Sequence, residues 1–109
     1  MSETEKYFQG TWRAAGEIDL HTWFLEWTFN SGRFKQLGYP AIFQEGKYMV
    51  VGLADNKWPL IKLLLSFMTK KELSVRTIEK LEIVMGQEIE QLSISNMKGF
   101  SRVAPIKTN

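Results

Sequence analysis

The chain carries one histidine, no cysteine and twelve carboxylates, and these limit its chemistry before any fold is considered. Without a thiolate there is no cysteine nucleophile, no zinc-thiolate site and no disulfide framework. His21 is the one imidazole available to a Ser-His-Asp relay, to a haem iron or to a metal. Its nearest acidic neighbours, Glu17 and Asp19, bring no second His or Cys to complete a coordination set. A lone imidazole at the start of a strand reads as a rim residue. Gly46, Gly52 and Gly86 stand isolated, so no glycine-rich phosphate loop is present. The expectation is a protein without catalytic residues, metal or cofactor.

What the sequence offers instead is aromatic surface: seven Phe, four Trp and three Tyr in 109 residues. Around "HTWFLEWTFN" one face would hold Trp23, Leu25, Trp27 and Phe29, the other Phe24, Glu26 and Thr28. With Glu26 inward, its carboxylate would be desolvated and could anchor a ligand or act as a general acid. The opposite orientation sends Glu26 to water with Thr28, and it is the simpler reading. Trp58 precedes Pro59 directly after a turn, which places a large apolar group near a loop, packed beneath it or offered to a ligand or partner. Trp23, Phe24, Glu26, Trp27, Tyr48 and Trp58 are therefore the candidate ligand contacts.

Alternation sets the elements that must position them. Period two runs from Leu20 to Asn30 and ends in the turn chemistry of Asn30-Ser31-Gly32. "RFKQL" follows, then a break at Gly38-Tyr39-Pro40, since Pro40 cannot donate to a ladder and restricts Tyr39 to extended conformations. "AIFQ" reads as a short strand closed by Glu45-Gly46, and "KYMVVGLA" as the next, ended by Asp55-Asn56-Lys57. "PLIKLLLSFM" puts Ile61, Leu63, Leu65 and Phe67 on one face. "ELSVRTIEKLEIVM" has helical spacing at Val75, Ile78, Leu81 and Met85, but its odd positions are apolar, which favours strand with an irregularity near Glu79. "EIEQLSIS" is a strand, Asn96 to Gly99 a turn, and "FSRVA" the last strand, stopped by Pro105. About eight strands of ~7 residues use up the chain. They predict an all-β fold: a single antiparallel up-and-down barrel spanning residues 1–109, with 1–6 and 105–109 as frayed tails.

A net charge of +2 with scattered basic residues excludes a concentrated nucleic-acid footprint. "MSETEKYFQG" is not a secretory signal, and "WPLIKLLLSFM" is broken by Pro59 and Lys62, far short of the ~20 residues a membrane span needs. A cytoplasmic protein is expected, although a signal already removed would leave the same sequence.

Within this frame "FQGTWR" (Phe8 to Arg13) resembles the first strand of the calycin superfamily, the lipocalins and fatty-acid-binding proteins. There a Gly-x-Trp follows an aromatic or apolar residue. The resemblance implies that Trp12, following Gly10, closes one end of the barrel and that an Arg from the last strand, here Arg102, packs over its ring. It also implies an interior that takes an apolar or amphipathic small molecule. Two departures stand out: no helical pair follows the first strand, and Arg102 is followed by Val103-Ala104 rather than by an Arg-x-Tyr motif. The chain is most similar to short lipocalin-like domains. The leading expectation is ligand binding without catalysis. The alternative is a closed, filled barrel acting as an interaction or assembly module, with a homodimer compatible with either.

Overall fold

Hairpin chemistry organises the chain. A computed structural model describes residues 3–39, 42–65, 74–84 and 87–103. A single-turn helix α1 (Glu3–Lys6) precedes β1 (Gly10–Ile18), β2 (His21–Asn30), β3 (Arg33–Tyr39), β4 (Ile42–Ala54), β5 (Trp58–Leu65), β6 (Ser74–Val84), β7 (Gln87–Ile94) and β8 (Met97–Arg102). The turns Asp19-Leu20, Ser31-Gly32 and Ser95-Asn96 have both central residues at positive φ. That geometry matches the right-handed twist of the flanking strands and fixes their register. The pairs Ile18 with His21, Asn30 with Arg33 and Ile94 with Met97 close around these turns. Each strand pairs with its neighbour in sequence, and β8 returns to β1, closing an up-and-down antiparallel barrel. The all-β eight-strand expectation is met.

Several local expectations are corrected. Glu45-Gly46 is no turn, because β4 runs through it and pairs with β3 on one edge and β5 on the other. Gly46 is needed for close approach: a Cβ there would fall onto the Leu64 carbonyl oxygen. β4 then bends at a bulge between Val50 and Gly52, and the β6–β7 pairing shifts register between Leu81 and Ile83, a little beyond Glu79, with the extra residue on β7. The last turn is Ser95-Asn96, with Met97 to Gly99 already in β8. Glu3–Lys6, expected to fray, are helical, and Tyr7 to Gln9 lead into β1 without belonging to it. Pro40, Phe67, Lys70-Lys71, Met85-Gly86 and residues 104–109 lie outside the described residues.

The N-terminal segment is held because it plugs the barrel. Phe8 is fully buried, edge-on to Phe29 at 5.2 Å and to Tyr48 at 5.7 Å between ring centroids. The Trp12 indole Nε1 donates to the Phe8 carbonyl at 2.9 Å. Arg102 lies 4.2 Å above the Trp12 ring and donates to the carbonyls of Gln9 (2.7 Å) and Tyr7 (3.1 Å). Gly10, at φ 106°, leaves the room that Arg102 Nη1 occupies. The Tyr7 hydroxyl donates to the Ile78 carbonyl (2.8 Å), tying the plug to β6 across the barrel. The Tyr48 hydroxyl donates to Glu5 Oε2 and accepts from Gln9 Nε2, both at 2.8 Å. Gln9 Oε1 in turn accepts from the Ser31 amide at 2.8 Å.

Below the plug, Trp27, Phe34, Ile61, Leu63, Ile78, Leu92 and Phe100 fill the interior from six different strands. Burial raises the Tyr7 phenol well above its ordinary value, and the charge on Glu79 adds to the shift. Tyr48 is also raised, first by burial and further by Glu5, against the opposing hydrogen bond from Gln9.

Two measurements test this closure. Trp12→Ala should destabilise the fold by about 3–5 kcal/mol in denaturant titrations, the range for removing a buried aromatic ring; a loss below about 1 kcal/mol would mean that the indole does not seal the barrel. Both folded phenols are raised above the ordinary value of about 10, so their stabilising contribution is complete below that pH and is lost as pH climbs through the folded values. The melting temperature should therefore fall on the alkaline side of pH ~10, and Tyr7→Phe should make that fall shallower.

Candidate functional site

Cross-strand pairing assigns every side chain to the lumen or to the outside. Trp12 pairs with Trp27, Ala14 with Leu25 and Gly16 with Trp23, so Trp23 and Leu25 share the inner face with the buried Trp27. Gln36 is opposite both Trp27 and Gln44, and Arg76 is opposite the fully buried Ile61. These residues divide the lumen. Around the plug the inner face is dry and aromatic. Toward the turns Asp19-Leu20 and Ser95-Asn96, the inward-facing Trp23, Leu25, Gln36, Gln44, Arg76 and Met97 are only half-buried.

Trp23 keeps its place because Gly16 lies beneath it. A Cβ on Gly16 would meet the indole Nε1 at 2.7 Å. The indole is thus seated against the backbone of β1 at Gly16. Arg76 projects from β6 toward β2 on the opposite wall, where its guanidinium carbon is 6.0 Å from the Trp27 ring centroid. Its Nη1 donates to Ser95 Oγ at 3.2 Å. The side-chain amides of Gln36 and Gln44 have no hydrogen-bond partner among the described residues. Among the described residues, this part of the inner face therefore brings together Trp23, the Arg76 guanidinium and two side-chain amides.

Of the residues expected to contact a ligand, Trp23 and Trp27 come together on the inner wall. Tyr48 also faces inward, but at the plugged end, where its hydroxyl holds the N-terminal segment. Phe24 and Glu26 face outward. Arg13 covers the Phe24 ring at 4.3 Å and approaches Glu26 Oε2 at 3.8 Å, which is the bland orientation considered for that carboxylate. Trp58 is half-buried beside the Asp55–Lys57 turn, with Lys57 Nζ 4.8 Å from its ring. Arg76, Gln36 and Gln44 escaped sequence reading. Only Gln36 had a local signal, its two-residue spacing from Phe34.

His21 is exposed at the lip, and among the described residues no cluster of three His, Cys, Asp or Glu could hold a metal ion. Among the same residues no helix is long and apolar enough to cross a membrane. Among the described residues two depressions are found, and neither is lined by Trp23, Arg76, Gln36 or Gln44. One of about 460 Å³ is lined by Tyr48, Met49, Lys62 and Leu64, with Gly32, Lys47 and Leu63. The other, about 300 Å³, is lined by Thr28, Arg33, Lys35 and Glu45, with Asn30, Phe34 and Gly46. Neither is walled by indoles. Compared with protein-family models, with curated proteins and with solved structures, the chain matches none.

Because Trp23 rests on the backbone of Gly16, Gly16→Ala should push the indole off the wall. Expected are a loss of about 1–3 kcal/mol from overpacking and greater acrylamide quenching of tryptophan fluorescence. Unchanged quenching would show that Trp23 is not seated there.

Proposed function

We propose that the barrel binds an apolar or amphipathic small molecule in its open half and performs no catalysis. The observation that carries this reading is the contrast between its two ends. The plugged half is packed with fully buried aromatics, whereas farther along the inner face Trp23 and Arg76 are half-buried, with Arg76 reaching to 6.0 Å from the buried Trp27 ring. A guanidinium in an apolar lumen favours a carboxylate or similar anion, because a fork of donors and a lowered dielectric both strengthen that pairing. Gln36 and Gln44, on neighbouring strands, supply further hydrogen bonds to a polar end. The apolar remainder would lie against Trp23, Leu25 and Met97. The Trp12–Arg102 stack at the plugged end supports placing the chain beside the lipocalin-like calycins, in which binding in the lumen is the common theme.

A second reading, a barrel serving as an assembly module, draws on a different surface. Met49, Val51 and Leu53 of β4 are exposed, with Leu64 of β5 and Val75 of β6. Of these, Met49 and Val75 share the outer face on either side of Lys62, with Leu64 beside Lys62 on β5.

The two separate in one experiment. A fluorescent fatty-acid analogue should bind with one-to-one stoichiometry and raise the melting temperature with increasing concentration. Arg76→Gln should weaken the acidic analogue about tenfold or more, the scale of one charge-assisted hydrogen-bonded contact, while leaving a neutral ester analogue nearly unchanged. Fluorescence that rises without a shift in melting temperature would mean surface adsorption and would overturn the lumen reading. Concentration-dependent association abolished by Met49→Ser would favour the assembly module.

A further inference from the structure

Basic residues that lie scattered along the sequence are gathered on one outer wall of the barrel. The buried Phe34, Tyr48, Ile61 and Leu63 point inward, so Arg33 and Lys35 of β3, Lys47 of β4 and Lys62 of β5 point outward. Register sets Arg33 opposite Lys47, Lys47 opposite Leu64, and Met49 opposite Lys62. The carboxylate in this band is Glu45, opposite Lys35. Four cations against one carboxylate make the band more positive than the whole chain, whose net charge is +2.

One pairing in the band works against stability. Like charges directly opposite one another on a sheet repel, and Arg33 and Lys47 are such a pair. Both are exposed, and among the described residues neither has a hydrogen bond, an ion pair or a ring contact. Lys35 leans instead over Phe43, its Nζ 5.8 Å from the ring centroid. The opposed pair therefore presents a planar fork of donors beside a compact ammonium, a combination that favours an anion with several acceptor oxygens.

The band also borders apolar space. Lys47 and Lys62 line the depression of about 460 Å³ whose walls include Met49, Leu63 and Leu64. That volume falls within the range of small-molecule sites, which combine an apolar wall with a few polar groups. Lys62 is half-buried and lies between Met49 on β4 and Val75 on β6 in the two registers. Arg33, across the ladder from Lys47, lines the second depression together with Lys35.

We propose that this outer depression binds a compact apolar molecule carrying a phosphate ester or comparable dianion. The anion lies at Lys47 and Arg33, and the apolar body lies against Met49 and Leu64. A doubly charged head suits the site, because a single charge leaves one of the two opposed cations unneutralised. The site stands apart from the lumen, whose Arg76 is one cation on the inner face, and it does not depend on what the lumen holds.

The test titrates the full chain with naphthyl phosphate by calorimetry, beside inorganic phosphate and naphthol at matched ionic strength. The ester should bind at one site and raise the melting temperature with concentration, and each half alone should bind far more weakly. Lys47→Gln and Arg33→Gln should each weaken the ester about tenfold or more, the scale of one charge-assisted contact. Leu64→Thr should weaken it about fourfold, the scale of one methylene withdrawn from apolar contact, and leave inorganic phosphate unaffected. Lys98→Gln, on the exposed part of β8, makes the same charge change and should bind as wild type does.

Without ligand, Lys47→Gln and Arg33→Gln should melt at or above the wild-type temperature in low salt, because each removes one of two opposed cations. The difference should close in about 0.5 M sodium chloride, where such charges are screened within a few ångströms. Lost binding is thereby separated from lost folding. Inorganic phosphate binding as tightly as the ester would show a bare charge effect and overturn the proposal, as would equal losses in the Lys47 and Lys98 variants. Polyglutamate binding in place of the ester would assign the band to an acidic chain and overturn it too. Prior saturation with the fluorescent fatty-acid analogue should leave the ester's affinity unchanged, whereas competition between the two would put the ester in the lumen and remove the outer site.

Discussion

Closure of the barrel depends on a short seam. β8 meets β1 at Trp12 with Arg102 and at Arg13 with Ser101, followed by a backbone hydrogen bond from Val103 to Thr11 at 2.8 Å. So short a ladder holds two strands weakly, and Arg102 supplies the rest. Its guanidinium stacks on Trp12 and ties the carbonyls of Tyr7 and Gln9. Chain start, first strand and last strand are thereby joined at one side chain. A cation over an indole contributes roughly 0.5–2 kcal/mol, but the geometric effect is larger than that figure suggests. Without the seam, β1 and β8 would be open edges with unpaired backbone groups.

From that seam follows an uneven interior. The plug fills one end with Phe8, which meets Phe29 and Tyr48 edge to face, while Trp27 stacks on Phe29. Stability is concentrated there. The opposite end can then tolerate groups that a core would reject, a guanidinium and two amides among indoles, because solvent reaches them from the lip. The inward-facing Arg76, Gln36 and Gln44 are thus half-buried at the end away from the plug, whereas at the plug the Tyr48 hydroxyl is taken up by Glu5 and Gln9.

Much of this was legible in the alternation. Period two, the aromatic content and the turn residues pointed to a closed meander, and Trp12 and Arg102 were identifiable from Gly-x-Trp and a late arginine. Glu45-Gly46 misled because glycine usually punctuates, yet here it lets β4 pass close to β5. The N-terminal residues looked like a tail because their partners, Tyr48, Ile78 and Arg102, are distant in sequence. Leu20 reads as the first residue of the strand ending at Asn30, yet it stands in the turn before β2 at positive φ, because an isolated leucine beside an aspartate says nothing of its backbone angle.

The sequence by itself determined that these segments are strands and which residues share a face, because side-chain direction in a strand repeats every two residues. It could not determine which face is the inside. On β6 the odd positions are the more apolar, yet Arg76 and Ile78 point inward and Val75 is exposed. That choice is made by register: Arg76 lies opposite Ile61, and a shift of one residue would have exchanged the faces. Only closure of all eight strands sets that register, and so only the tertiary structure could place a cation within reach of Trp27.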